Sequence, residues 1–273
     1  MKKRINSKQI FLFIIFFIFL SIFIYSSINI FTWFKDNKNT DTQVEIINKK
    51  VEIKEIKNNI NTEIIEPQEK EPITSPYWKY LETPLIDVNF EELKNINTDT
   101  VGWINILGTN VNYPFVQTKD NNYYLTHSFD KSYNKAGWLF LDYRNNLSNL
   151  NKNTIIYGHA RIDQTMLGSL TKTLENNWYN NINNHIVRLS TEKENSLWQI
   201  FSIYTIPNTN DYIQTDFTND IEYLNFLTKL RERSIYKFDT SISPTDNILT
   251  TSTCYKKNDR LVIHAKLIKK EAK

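Results

Sequence analysis

The 273-residue sequence predicts a mainly β protein, a closed or nearly closed barrel with a few peripheral helices, carried behind one transmembrane helix. Three observations point there. Short runs rich in Ile, Val, Phe, Trp and Tyr recur between residues 101 and 268, separated by Asn-, Gly- and Lys-containing turns. Few stretches within that region carry helical signals. The chain also starts with a long uncharged apolar run that fits no strand.

That run comes first. From Gln9 to Phe34 no residue carries a formal charge, and Ile10 to Tyr25 is almost unbroken Ile, Phe and Leu. As a helix it would reach roughly 39 Å, enough to cross a ~30 Å hydrocarbon core. Lys2, Lys3, Arg4 and Lys8 bias its start toward the cytoplasm. The expectation is a cytoplasmic segment over 1–9, a signal anchor over 10–34, and the rest of the chain outside the cell membrane, with Trp33 at the outer interface. A cleaved signal peptide shares these features, but this run is long and the first alanine is Ala136, so no Ala-x-Ala site follows it. The leading cations outweigh the whole net charge of +3, which leaves no basic surface for nucleic acid.

Residues 35–75 are rich in Lys, Glu, Asn and Ile, with Pro67 and Pro72 toward their end. They read as an extracellular stalk in which "VEIKEIKNNI" (51–60) could form a short helix, ahead of a domain over 76–273. "NFEELKNI" (89–96) predicts a helix with Asn89 and Glu92 as a capping box. "VGWINIL" and "VNYPFV" flank Gly108-Thr109-Asn110 as a hairpin, with Pro114 favouring an edge. Strands follow at 136–142, 153–159, 185–190 and 196–206, and the last two at roughly 247–254 and 260–268. One interrupting helix is expected over Met166–Leu174. The other is "DIEYLNFLTKLRER", where Tyr223, Phe226, Leu227 and Leu230 share a face behind an Asn219/Glu222 capping box.

The single cysteine, Cys254, cannot close an intramolecular disulfide, so it is either inert packing or chemistry. In an oxidising exterior an unpaired thiol is a liability. Strand alternation puts Thr250, Ser252 and Cys254 on one face and Leu249, Thr251 and Thr253 on the other. In the next strand Arg260, Val262, His264 and Lys266 share a face opposite the apolar Leu261, Ile263, Ala265 and Leu267. Only Tyr255–Asp259 lie between, a hairpin-sized link, so Cys254 and Arg260 should stand near each other across its mouth. A guanidinium there could stabilise a thiolate or an oxyanion, or simply be a solvated strand-start charge. A nucleophilic thiol also needs a proton partner. His264 lies some ~13 Å along the strand from Arg260, and His127 and His185 read as ordinary surface or hydrogen-bonded residues. His159 ends an apolar strand just after Gly158, where a rigid sheet presents side chains to a loop. Periodicity alone leaves its role open. Scattered Asp and Glu form no dense metal site.

Taken in order, "DTVGWINILGTNVNYPFVQTKDNNYYLTHSFD" (99–130), "KAGWLFLDYRN" (135–145), "NTIIYGHARIDQTMLGSL" (153–170), "TTSTC" (250–254) and "RLVIHAKL" (260–267) resemble the class B sortases, membrane-anchored cysteine transpeptidases of Gram-positive bacteria. The last two segments correspond to the family's TLxTC motif and its arginine strand, and the resemblance covers about residues 78–268. It implies an eight-stranded barrel with an N-terminal helical extension. Carried over by position, it implies Cys254 as nucleophile, His159 as the family histidine and Arg260 as the active-site arginine, with Ser252 and Thr253 contacting substrate and no cofactor. The implied reaction cleaves an NPxT-like motif in a secreted protein bearing a C-terminal sorting signal, through a thioacyl-enzyme. An amino group of a lipid-linked peptidoglycan precursor then accepts the acyl group. Thr251 stands where the motif has Leu and faces away from the thiol, so altered packing is expected there. The loop between Cys254 and Arg260 is short for the class. A papain-like protease fits poorly, because here the histidine precedes a strand-borne cysteine. A hydrolytic or non-catalytic tethered barrel acting at the cell wall is the remaining alternative.

Overall fold

The computed structural model describes residues 6–58, 60–67, 71–256 and 258–273, so the expected cationic start at Lys2, Lys3 and Arg4 lies outside the described residues. Helix α1 (Ser7–Lys50) is continuous, and no Pro or Gly interrupts it. Asn6 caps it: its side chain accepts from the Lys8 amide, and the Gln9 side chain accepts from the Asn6 amide. The apolar part stands exposed, with Phe11, Phe19, Phe23 and Phe31 among its bare side chains. Further on, Asp36, Thr40, Gln43 and Ile47 are buried at helical spacing, so this stretch of α1 packs one face onto the globular body.

The free stalk expected over 35–75 is therefore corrected. After α1, strand β1 (Ile53–Ile56) pairs antiparallel with β3 (Leu85–Val88), and β2 (Thr62–Ile64) joins the end of the last strand. Residues 51–60 contain a strand rather than a short helix. Val51 and Ile53 alternate with the exposed Glu52 and Lys54, a pattern that suits capture by the backbone edge of β3. Helix α2 (Tyr77–Leu81) and helix α3 (Glu91–Ile96) follow. Asn89 accepts from the Glu91 amide, one residue earlier than a capping box would close.

Strands β4 (Thr100–Ile106) and β5 (Asn112–Val116) form the expected hairpin. Then come β6 (Phe140–Leu141), β7 (Asn153–Tyr157), helix α4 (Asn176–Asn180), β8 (Ile186–Ser190), β9 (Glu194–Pro207), helix α5 (Asp220–Glu232), β10 (Ile248–Tyr255) and β11 (Asp259–Ala272). Their order is β10-β7-β6-β5-β4-β8-β9-β11, and a β10–β11 pairing closes these eight strands into a barrel, with β2 attached outside β11. Residues 136–142 contribute only two paired residues, because Gly137 turns the chain at φ +60° and Trp138 bonds to the Tyr124 carbonyl instead. The helix expected at 166–174 begins at Gly168 and is of the 3-10 type, since Met166 sits at φ +51°.

The barrel core takes Leu249 from β10 and Leu261, Ile263, Ala265 and Leu267 from β11, as alternation required. The opposite face of these strands is covered by α5, whose Tyr223, Phe226, Leu227 and Leu230 pack with Phe201, Tyr204, Ile248 and Val262. Asn219 caps α5 through the Glu222 amide, but the Glu222 carboxylate accepts from Thr218 and Gln214, so only half of the expected box forms.

Candidate active site

The β10–β11 hairpin pairs Cys254 directly with Arg260, and its tight turn includes Lys256 at φ +51°. A second pairing supplies the rest. Strand β7 runs parallel to β10 in a register that sets Asn153 against Ile248 and Tyr157 against Ser252. Two residues past that last pair stand His159, just beyond the end of β7, and Cys254 in β10, so the register brings both to one end of the pairing. Cys254, His159 and Arg260 all line one cleft of about 390 Å³. The thiol is exposed.

The imidazole is held from two sides. Its Nε2 lies 2.8 Å from the Leu125 carbonyl, an acceptor, so Nε2 carries the hydrogen and Nδ1 is left to exchange protons. Gly137 lies behind the ring: a Cβ there would come within 2.8 Å of His159 Cδ2 and 2.5 Å of the Tyr124 carbonyl, at a φ of +60°. Arg260 donates one 3.2 Å bond, Nη1 to its neighbour's carbonyl at Asp259, leaving its other donors uncommitted among the described residues.

Ser252 and Thr253 both line the cleft, yet both are buried and bonded. The Ser252 hydroxyl lies 2.9 Å from the Tyr212 hydroxyl. Thr253 Oγ1 donates to the Gly158 carbonyl at 2.7 Å, tying the thiol's strand to the residue that precedes His159. The Thr251 hydroxyl, facing the barrel interior, is buried without a partner among the described residues.

The other histidines are accounted for elsewhere. His264 is sealed under α5 between Tyr204 and Thr250, at 2.9 Å and 2.8 Å, and burial pushes its pKa down to about 3. His185 is buried, bonds to Tyr80 and the Tyr179 carbonyl, and is likewise pushed down by burial. His127 stacks on Tyr123 with ring centroids 4.0 Å apart.

Sequence reasoning missed the cleft's other walls, Asn121, Asn122, Leu125, Tyr157, Asn208–Asn210, Tyr212 and Ile213. Their organiser is Asp142, whose side chain is fully buried and accepts from Arg144 Nε and Nη2 at 2.8 Å, Tyr157 at 2.9 Å and Asn121 at 3.0 Å. Burial pushes this carboxyl up, but the bonds from Arg144 and Tyr157 outweigh it and hold it below the ordinary range. Arg144 also donates to the Ile213 carbonyl at 2.9 Å, which fastens the far wall. The "LDYRN" segment carried that signal only as a polar pair beside an apolar run. Among the described residues, no three His, Cys, Asp or Glu side chains come together as metal ligands.

The family model described as the sortase domain matches residues 104–268. Sortase B of Staphylococcus aureus is 39% identical over 184 residues, which cover 66% of this chain and 75% of the relative. The solved Staphylococcus aureus sortase B–substrate complex aligns with a TM-score of 0.62 at 38% identity, over 66% of this chain and 84% of that one. A Bacillus anthracis structure described as similar to sortase B aligns with a TM-score of 0.66 at 35% identity, over 87% of this chain and 97% of that one. Barrel order, thiol strand and these similarities agree: the chain belongs to the sortase family, among the sortase B cysteine transpeptidases.

Proposed function

We propose that Cys254 Sγ, as thiolate, attacks the threonine carbonyl of an NPxT-like motif in a secreted protein that bears a C-terminal sorting signal. The observation that carries this reading is the paired register of β10, which sets Arg260 opposite the thiol and leads His159 toward it from β7. Arg260 stabilises the oxyanion of the tetrahedral intermediate. The imidazolium of His159 gives its Nδ1 proton to the departing amine, and the C–N bond breaks to leave a thioester on Cys254. An amino group of a lipid-linked peptidoglycan precursor then attacks the thioester. Its proton passes to Nδ1, and the C–S bond breaks to restore the thiolate–imidazolium pair. Ser252 and Thr253 contribute to the substrate-contacting wall beside the thiol. The solved sortase B–substrate complex of the Staphylococcus aureus relative supports substrate binding by this chain.

In the same reading residues 10–34 anchor the chain in the cell membrane, with 1–9 cytoplasmic and the barrel outside. The support is a long apolar helical stretch, none of whose most apolar window is buried. Tethering enzyme and lipid-linked acceptor to one surface raises their effective concentration.

The test is turnover of a fluorogenic NPxT peptide by the full chain in detergent, with and without an added amine. Cys254→Ala should abolish turnover, and His159→Ala and Arg260→Ala should each lower kcat by roughly 10²–10³-fold. Product masses should move from hydrolysis to amide when the amine is present. Wild-type turnover in Cys254→Ala would remove the assignment.

A further inference from the structure

His159 stands on the wall of two clefts. One holds the thiol. The other, of about 380 Å³, lies between the barrel and α1 and is lined by Asn29, Thr32 and Trp33 on one side and Ala160–Asp163 on the other. Asn29, Thr32 and Trp33 belong to the apolar stretch, upstream of Asp36, where α1 first becomes buried against the barrel. The loop after His159 therefore reaches back along α1 past the docking contact.

That loop is tightly built. Arg161 bonds to Asn37 of α1, to Asp163 at 2.8 Å and to Thr165 at 2.8 Å. Gly168 comes so close that a Cβ there would sit 2.1 Å from the Arg161 carbonyl. On this braced frame Ile162 is 88% exposed. The loop thus presents one bare isoleucine beside the bare apolar stretch of α1, with Trp33, Ala160 and Ile162 on the wall of the same cleft.

We propose that the Ala160–Asp163 loop dips into the outer headgroup layer of the bilayer, with Ile162 as its leading side chain. This rests on the reading of residues 10–34 as a membrane span. The heights agree: Asn29 lies ~7.5 Å below Phe34 along a helix axis, and the polar layer on each side of a bilayer is about 5–8 Å deep. The second cleft then opens at the lipid surface, one loop away from the imidazole. Docking at Asp36 fixes that height, because the Asn134 side chain bonds to the Asp36 carbonyl at 3.1 Å and the Lys135 amide to its carboxylate at 3.3 Å.

The experiment uses the full chain with Cys254→Ala, which frees it of native thiols, reconstituted in phosphatidylcholine–phosphatidylglycerol vesicles. A polarity-sensitive fluorophore is attached through Ile162→Cys, Phe19→Cys or Ile221→Cys in separate preparations. Ile221 is an exposed isoleucine on α5, 74% bare, and serves as the water-facing reference. The expected result is deep quenching at 19 by acyl-chain nitroxides. The label at 162 should be shifted to the blue of 221 and quenched by headgroup nitroxides. A membrane-buried label at 19 with a water-like label at 162 would overturn the loop's immersion and leave the anchor standing. A water-like label at 19 would overturn the anchor, and the immersion with it.

Discussion

Thr251 shows how a single hydroxyl bears on both fold and function. It occupies the position where the family motif has Leu, points into the barrel core, and leaves its oxygen without a hydrogen bond among the described residues. Burying a hydroxyl unpaired costs about 1–3 kcal/mol, so Thr251→Val, which keeps the shape, should stabilise the chain by ~1 kcal/mol. Urea unfolding should show a higher midpoint with an unchanged slope, while peptide turnover stays near wild type because the side chain faces away from the thiol. A lower midpoint would show that the hydroxyl is satisfied in solution. That Thr251 faces inward was legible from alternation alone. That its oxygen finds no partner was not, because this depends on neighbours contributed by distant strands.

Between elements, His264 of β11 is enclosed by β9 and β10 beneath α5. Its pKa in the folded chain, about 3, lies below the ordinary histidine value of about 6.5. The unfolded chain therefore binds a proton that the folded chain refuses. The stabilising contribution is complete above pH ~6.5 and is lost as pH falls toward 3. His264→Asn should melt lower than wild type at pH 7 yet lose less stability between pH 6.5 and 4, read as the slope of Tm against pH; equal slopes would rule out this account. Legibility at this scale followed contact range. The Cys254–Arg260 pairing was visible because a short hairpin fixes it locally, and the α5 stripe because its period is helical. The approach of His159 depends on β7 lying parallel to β10, a pairing bridged by the Thr253–Gly158 bond across 95 residues that no local period encodes. The docking of α1 was hidden for a different reason: Asp36, Thr40 and Gln43 form a polar buried face, which leaves no apolar stripe to read.

For the molecule as a whole, the domain begins before residue 76. Lys269, fully buried in β11, donates to Asn58 at 2.6 Å, to the Leu81 carbonyl at 2.8 Å and to the Thr83 carbonyl at 2.6 Å. Burial holds its pKa down to about 8. Truncation before residue 76 removes Asn58, one acceptor of a buried ammonium, together with β1, β2 and the docked face of α1. A fragment 76–273 should therefore unfold at lower urea than a fragment starting at Lys35, by about 1.5–3 kcal/mol for the lost bond to the buried charge alone; equal midpoints would show that the N-terminal extension only decorates the barrel.

The unbroken run of α1 from apolar stretch to docked face has a mechanical meaning. A helix without a swivel hands any lean to whatever is bolted to its end. In a thinner bilayer a span shifts its angle to hide its length; with residues 10–34 as the proposed anchor, the barrel would incline with it. Lipid thickness would then set the attitude at which the thiol meets its clients, a dependence that a slack tether would erase.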